Sequence, residues 1–441
     1  MKQSKYIYIF NEGHKTYIFS TLTYKVIEIP DNLGLKLESL LKYPNSTWGK
    51  YNVIKNELIR NGILISDDYN ELDFIKSSIN KEINHPFYTL TILPTYNCNF
   101  SCWYCVQKHK DEYMSEQTVE AVKKHIAKYI EENNLKGLEI HWFGGEPLLC
   151  INNQLSEISK FALSICKENG IIFFNNITTN GYLIDENMAK KMDELHFRQF
   201  QITIDGTRKI HNLTRNHNGK PSFDRILNNI NLIIRYIPKA QVFLRYNFTE
   251  ENLGHIDEMI NEINEFFVLS IRKKIKILTV KVWQEDKKKF RKTCFNDIYR
   301  KFRDNGYSIS DIELNNAYAK CDADFKHNNV IFHNGNVDKC NNIHPSEAHS
   351  ILMDDGTIKN VKKDCPVWED ILSKKPCCNC KFLPVCMGPC LNIKRNMICK
   401  SGCIKCADTE VHWTIEERIK NYCLIKSKES YESICKVESQ L

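Results

Sequence analysis

The chain has 441 residues, 42% of them hydrophobic, which is enough to bury several apolar cores and points to a globular protein of two to four domains. Its net charge of +7, from 61 basic against 54 acidic residues, is concentrated in runs such as IRKKIKI and EDKKKFRK, which read as solvated helix faces and not as a nucleic-acid surface. No stretch approaches the roughly 20 apolar residues of a membrane span, and the opening MKQSKYIYIFNEGHK interrupts the apolar core a signal peptide needs, so a soluble, cytoplasmic protein with no membrane contact is expected.

Residues 1–85 begin with KYIYIFN and KTYIFSTLTYKVIEIP, patterned as two or three short antiparallel strands. LKLESLLKY and KYNVIKNELIRNGILI then place apolar residues three and four apart, which predicts a compact helical group. Asn84, His85 and Pro86 form a linker.

From Tyr88 the pattern alternates. Strands are predicted at 89–96, 138–144, 171–178, 198–205, 240–248 and 275–283, with amphipathic segments near 115–133, 153–169, 185–195, 222–236 and 253–269. Six such βα units predict a parallel α/β sheet over 86–304, either doubly wound or an incomplete barrel, with ligands at the carboxyl ends of the strands.

Residues 305–441 are rich in turns. VIFHNGNVDKC and ILMDDGTIKNV read as hairpins, because Asn334-Gly335 and Asp355-Gly356 are favourable tight-turn pairs. More than half of the 19 cysteines crowd between Cys321 and Cys406. In a long chain this points to metal or cluster ligation instead of a disulfide framework. Such a region would depend on bound metal for stability.

The first predicted strand runs directly into Cys98, Cys102 and Cys105, in TLTILPTYNCNFSCWYC. Three thiolates hold an iron-sulfur cluster with one iron left open, which can bind a small molecule and pass it an electron. Three unconnected buried thiols are the plain alternative. The second strand ends in His141-Trp142-Phe143-Gly144-Gly145-Glu146-Pro147 on the same rim. Its glycines admit close backbone approach, and its carboxylate can accept from an amine; an ordinary strand-ending turn would look the same.

Together the triad and the GGEP segment resemble the radical S-adenosylmethionine (SAM) enzymes. The resemblance implies a [4Fe-4S] cluster on Cys98, Cys102 and Cys105, with SAM chelating the open iron and yielding a 5′-deoxyadenosyl radical. It also implies that Gly144, Gly145 and Glu146 hold the methionine amine and that Tyr104 lies near the adenine. The third strand ends in Ile177-Thr178-Thr179-Asn180-Gly181 on the same rim, and IDGTRKIHNLTRNHNGKPSFDRI, which starts at the end of the fourth, resembles the DG…H…R segment of peptide-modifying members; Thr179, Asn180, Asp205 and Arg215 are carried over from these as residues of the SAM pocket. Read singly, Asp205 and Asn180 are turn residues and Arg215 a surface ion-pair partner.

The C-terminal spacing resembles the seven-cysteine SPASM domain, implying two auxiliary [4Fe-4S] clusters. One takes Cys321, Cys340 and Cys390, its fourth position open to Cys365, substrate or nothing. The other takes Cys377 (or its neighbour Cys378), Cys380, Cys386 and one of Cys399, Cys403 and Cys406, of which Cys406 best matches the family's separation. A zinc ribbon is the chemical alternative. Cys150, Cys166, Cys294, Cys423 and Cys435 fall outside these spacings and read as packing thiols.

Residues 1–85 resemble, in shape, the winged-helix recognition element that captures the leaders of ribosomally made, modified peptides by strand addition. A generic accessory domain has the same pattern. The resemblances together imply a partial (β/α)6 barrel flanked by a winged-helix-like domain and a SPASM domain. The implied enzyme modifies a precursor peptide oxidatively, by a thioether or carbon-carbon crosslink, with a flavodoxin- or ferredoxin-type reductant. The alternatives are a formylglycine-forming sulfatase maturase and a noncatalytic iron-sulfur or zinc peptide-binding protein. In the sulfatase branch an aspartate follows the second SPASM cysteine, whereas here Asn341 follows Cys340.

Overall fold

A computed structural model describes residues 1–107, 109–282, 284, 295–309, 322–362, 377–388, 390 and 415–438. The chain divides into two compact units. One joins Pro86–Asp311 with His327–Asp364; the other joins Met1–His85, Ile312–Lys326 and Cys365–Leu441.

The first of these units is built on a mostly parallel sheet. Its strands are β1 (Phe87–Leu93), β2 (Gly137–Trp142), β3 (Ile172–Thr179), β4 (Phe197–Ile204), β5 (Gln241–Phe248), β6 (Ile275–Lys281) and β7 (Ser308–Ile309), hydrogen-bonded in sequence order. On the far side of β1 lies β8 (Asn328–Phe332), parallel to it, followed by antiparallel β9 (Asn336–Asp338), β10 (Ser350–Leu352) and β11 (Ile358–Asn360). Both expected hairpins therefore form, and they extend the parallel sheet. Helices α1 (Glu116–Glu132), α2 (Gln154–Glu168), α3 (Glu186–Glu194), α4 (Arg208–Thr214) and α5 (Phe223–Tyr236) fall between successive strands. Because crossovers between parallel strands are right-handed as a rule, the unbroken strand order puts these helices on one face, the winding expected of a (β/α) barrel.

Strand alternation decides what each face carries. Leu90, Ile92, Leu138, Ile140, Trp142, Phe200, Ile202, Val242 and Leu244 point to the helices and form one core with Val122, Ile126, Ile158, Ile226 and Ile230. Fully burying each such side chain stabilises the fold by about 1.5–3 kcal/mol. Capping sets the helix starts: Ser115 accepts from Thr118 N, Asp185 from Met188 N and Thr207 from Ile210 N.

In the other unit, strands Ile7–Glu12, Lys15–Ser20 and Val26–Pro30 form an antiparallel sheet, as the N-terminal patterning predicts. One of its cores joins Ile7, Ile18 and Ile29 to Leu37, Leu41, Trp48, Leu58 and Ile63. Another joins Tyr8, Phe10, Tyr17, Phe19 and Tyr24 to Ile415, Ile419 and Cys423, with Phe382 and Val385 packed against it. Among the described residues no helix is long and apolar enough to cross a membrane.

Candidate functional site

The loop after β1 carries the triad, and its base is closed by protein hydrogen bonds. Tyr96 N donates to Glu112 O (3.1 Å), Met114 N to Pro94 O (2.8 Å) and Thr95 Oγ1 to Glu112 O (2.7 Å). Asn97 Nδ2 donates to Asp111 Oδ1 and to Tyr113 Oη, both at 2.8 Å. Cys98 and Cys102 are partly buried and Cys105 is exposed.

The turn after β2 locks onto the same base. Gly145 N donates to Thr95 O (3.1 Å) and Glu146 N to Asn97 O (2.8 Å). A Cβ on Gly145 would stand 2.0 Å from Asn97 O, and Gly144 holds φ +119 with Thr95 O 2.5 Å from its missing Cβ. Both positions therefore require glycine. The two signature segments are thus one hydrogen-bonded piece.

Glu146 has no exposed surface. Its carboxylate accepts from Thr179 Oγ1 (2.7 Å), Asn180 N (2.8 Å) and Leu148 N (3.0 Å), which pins the carboxyl end of β3 to this turn. Burial pushes its pKa up, and those hydrogen bonds work against the rise. Asn180 Nδ2 in turn donates to Asn99 Oδ1 (2.6 Å) within the triad.

Around the Tyr104 hydroxyl four strand and loop ends meet. It donates to Asp205 Oδ2 (2.6 Å) and accepts from Arg215 Nη1 (2.7 Å) and Asn247 Nδ2 (3.1 Å). Burial raises Asp205 and Tyr104 above their ordinary values. Burial also opposes the charge of Arg215, but Tyr104, Cys102 and Asp205 outweigh it, so the guanidinium stays charged. Asp205 Oδ1, Arg215 Nε and Asn99 Nδ2 are buried with no hydrogen-bond partner among the described residues.

This donor set fits a cationic cluster with a polar ligand. Burial, then the Glu146 carboxylate, pushes the Cys98 thiol up to about 12, and burial raises Cys102 too. Thiolates there need a positive partner, which cluster iron supplies. The unpartnered atoms of Asp205, Arg215 and Asn99 supply hydrogen-bonding capacity beside it. Among the described residues no group of three or more His, Cys, Asp or Glu could hold a metal ion. Cluster thiolates each bind a different iron and do not converge on one point.

Comparison with known proteins agrees with this geometry. Residues 92–263 match the Radical SAM superfamily. That segment is a radical SAM domain. The chain is 29% identical over 172 residues to the cysteine-type anaerobic sulfatase-maturating enzyme of Clostridium novyi, covering 37% of this chain and 44% of that one. It is 25% identical over 229 residues to the radical SAM cyclopropyl synthase TigE of Paramaledivibacter caminithermalis, covering 47% of each. The chain thus spans about half the length of the curated relatives it matches or less. The solved structure of native anSMEcpe with bound AdoMet shares the fold, at TM-score 0.55 and 18% identity over 79% of this chain and all of that one.

The match to the Radical SAM superfamily implies SAM and a [4Fe-4S] cluster at the triad. Of the residues named for that site from sequence, the structure brings Cys98, Cys102, Tyr104, Glu146, Thr179, Asn180, Asp205 and Arg215 into one network. Arg215 is half-buried, with its Nε enclosed and its Nη1 bonded to Tyr104, so it is not the surface ion-pair partner that was the alternative. Cys105 is at the rim, its Sγ 3.3 Å from His109 Nε2. Sequence reasoning gave no role to Asn99, Asn247 or Asn252, nor to His211, the histidine of the DG…H…R segment. Asn99 and Asn247 were findable, one lying inside the triad and the other at a strand end.

In the C-terminal region Cys340 follows β9, where Asp338 Oδ1 accepts from its backbone N (3.1 Å). Cys377 is buried; Cys378, Cys380, Cys386 and Cys390 are partly so. Cys380 N donates to Cys377 O (3.0 Å) and Cys386 N to Phe382 O (2.8 Å). Cys321, Cys365, Cys399, Cys403 and Cys406 lie outside the described residues. Cys150, Cys166 and Cys423 are buried, and burial pushes each up to about 12, as inert thiols require.

The sheet face opposite the helices is polar. Register sets Thr91, His141, Asn176 and Gln199 in one row, Thr178 and Gln201 in the next, and Thr203 with Arg245 beyond. Glu139 Oε1 pairs with His141 Nε2 at 2.5 Å, and Asn176 Nδ2 lies 2.8 Å from that nitrogen. The Glu139 and His141 side chains keep 20% and 32% of their surface exposed, so this face is open to solvent.

Proposed function

We propose that the chain is a radical SAM maturase that takes a ribosomally made precursor peptide by its leader and oxidatively modifies the core, closing a thioether or carbon-carbon crosslink. The polar sheet face carries this reading. A (β/α) barrel that encloses no ligand fills its inside with branched apolar residues. Here the corresponding face bears Glu139, His141, Asn176, Thr178, Gln201 and Arg245, a lining that suits the amides of a peptide.

Bound at the triad loop, a [4Fe-4S] cluster and SAM supply a radical able to remove a carbon-bound hydrogen. Cys98, Cys102 and Cys105 would hold the cluster. Asp205, Arg215 and Asn99 would hold polar groups of SAM, with Tyr104 fixing the first two. Glu146 would act on SAM through the turn and strand end it braces, because its own oxygens are already engaged.

Leader capture would use the strand Val26–Pro30, an edge strand paired with Lys15–Ser20. Two auxiliary clusters would take the C-terminal cysteines named above, and a flavodoxin- or ferredoxin-type protein would supply electrons. A second reading, formylglycine formation, is favoured by the likeness to the Clostridium novyi enzyme. Against it, the exposed residue after Cys340 is Asn341 where that branch has an aspartate base.

Anaerobic reconstitution with iron and sulfide, followed by SAM and dithionite, tests the radical step. 5′-Deoxyadenosine should form in the native chain and not in the Cys98→Ala, Cys102→Ala or Cys105→Ala variants. Coexpression with peptides encoded beside the gene, read by mass spectrometry, tests the substrate. A loss of two hydrogens supports crosslinking, whereas conversion of a sulfatase-derived cysteine peptide to formylglycine would replace it with the second reading.

A further inference from the structure

His211 lies in α4 with no exposed surface, yet every polar atom of its ring is engaged, and each bond leads to the Tyr104 hub. Its Nδ1 accepts from Asp205 N (3.3 Å). Its Nε2 lies 3.0 Å from Ser222 Oγ, and that hydroxyl donates to Arg215 O (2.5 Å). Because Nδ1 accepts, the ring proton is on Nε2, where it donates to Ser222. One imidazole therefore holds the backbone of Asp205 directly and that of Arg215 through the Ser222 hydroxyl, and the side chains of these two residues are the charged groups bonded to the Tyr104 hydroxyl.

Independent contacts brace the arrangement without replacing it. The Asp205 carbonyl accepts from Asn252 Nδ2 (2.9 Å), which also bonds the Asn247 carbonyl (3.0 Å). Ser222 N donates to Asn212 Oδ1 (2.8 Å). None of these links Asp205 to Arg215. Burial, then the Arg215 charge, holds His211 well below its ordinary pKa, so the ring remains the neutral donor-acceptor that the bridge needs.

We infer that His211 is a positioning residue for SAM: it sets the spacing between the Asp205 carboxylate and the Arg215 guanidinium, so that their unpartnered atoms face one ligand together. This rests on the reading of Asp205 and Arg215 as SAM-binding residues. A carboxylate and a guanidinium that each keep one buried polar atom free are useful to a ligand carrying both hydroxyls and a carboxylate, but only at a fixed separation.

The test is anaerobic calorimetry of SAM binding to the reconstituted full chain, with iron content and melting temperature measured on the same samples. His211→Ala should keep its iron while SAM affinity falls about tenfold, as expected when positioning worth two hydrogen bonds is lost. His211→Asn, whose side-chain oxygen can still accept from Asp205 N, should recover part of that loss. Should His211→Ala fail to fold, Ser222→Ala decides, since it cuts the Arg215 arm alone and should weaken binding about threefold. Iron-loaded His211→Ala, or in its place Ser222→Ala, binding SAM as tightly as the native chain would overturn the inference. Native reconstituted chain that keeps its iron yet binds no SAM would overturn the pocket assignment beneath it.

Discussion

Glu146 is enclosed yet accepts from a hydroxyl and two backbone amides. Glu146→Gln keeps the shape but turns one acceptor oxygen into a donor facing these donors, at a cost of about 1–3 kcal/mol. We expect the variant to melt earlier and take up less iron, measured together by calorimetry and iron assay. His211 predicts an acid limb: its folded pKa is depressed, so its contribution is present above the unfolded value near 6.5 and lost as pH falls below it. His109, His125 and His333 are also lowered and share that limb. Melting of His211→Asn should therefore fall less than that of the native chain between about pH 7.5 and 5. Glu146 and Asp205 act in the opposite sense, since their raised values favour the fold at low pH and lose that contribution as pH rises through them. The triad and GGEP were legible because their residue types and spacing are unusual. His211 falls inside the DG…H…R segment, but its role was not legible, because a buried histidine in a short helix shows no function until its partners are seen.

At the scale of elements, the six strands and the five helical segments between them were legible to within a few residues, because period-2 and period-3.6 patterns report burial directly, while the helices Arg208–Thr214 and Phe295–Asp304 were not read. The strand predicted at 89–96 occupies Phe87–Leu93, ending where Pro94 removes a donor and the loop base begins. Less legible was the character of the second sheet face. GLEIHW shows the alternation, but no strand alone says whether its polar side meets solvent, a ligand or another layer. We expect His141→Ala and Glu139→Gln to lower peptide modification about tenfold or more, while SAM cleavage without peptide persists, as product analysis would show. Equal loss of both activities would place the pair in the fold's support instead.

At the scale of the molecule, the N-terminal sheet shares cores with late parts of the chain. Tyr24 Oη donates to Pro384 O (3.3 Å), Thr21 Oγ1 to Lys381 O (2.6 Å), and Phe19 packs with Ile419 and Cys423. Deleting residues 1–85 should therefore expose these apolar groups and yield insoluble protein, read by sedimentation, so that leader binding is better tested by substitutions in Val26–Pro30. The turn-rich tail hid this, because short segments with weak periodicity do not announce the sheet they join. The closed base of the triad loop has a consequence of its own. Since Gly145, Glu146, Asn97 and Glu112 tie the base of that loop with protein hydrogen bonds, part of its ordering entropy is met during folding and less is left for metal uptake. A cluster lost to oxygen should leave a standing scaffold, and repair then becomes refilling in place of refolding.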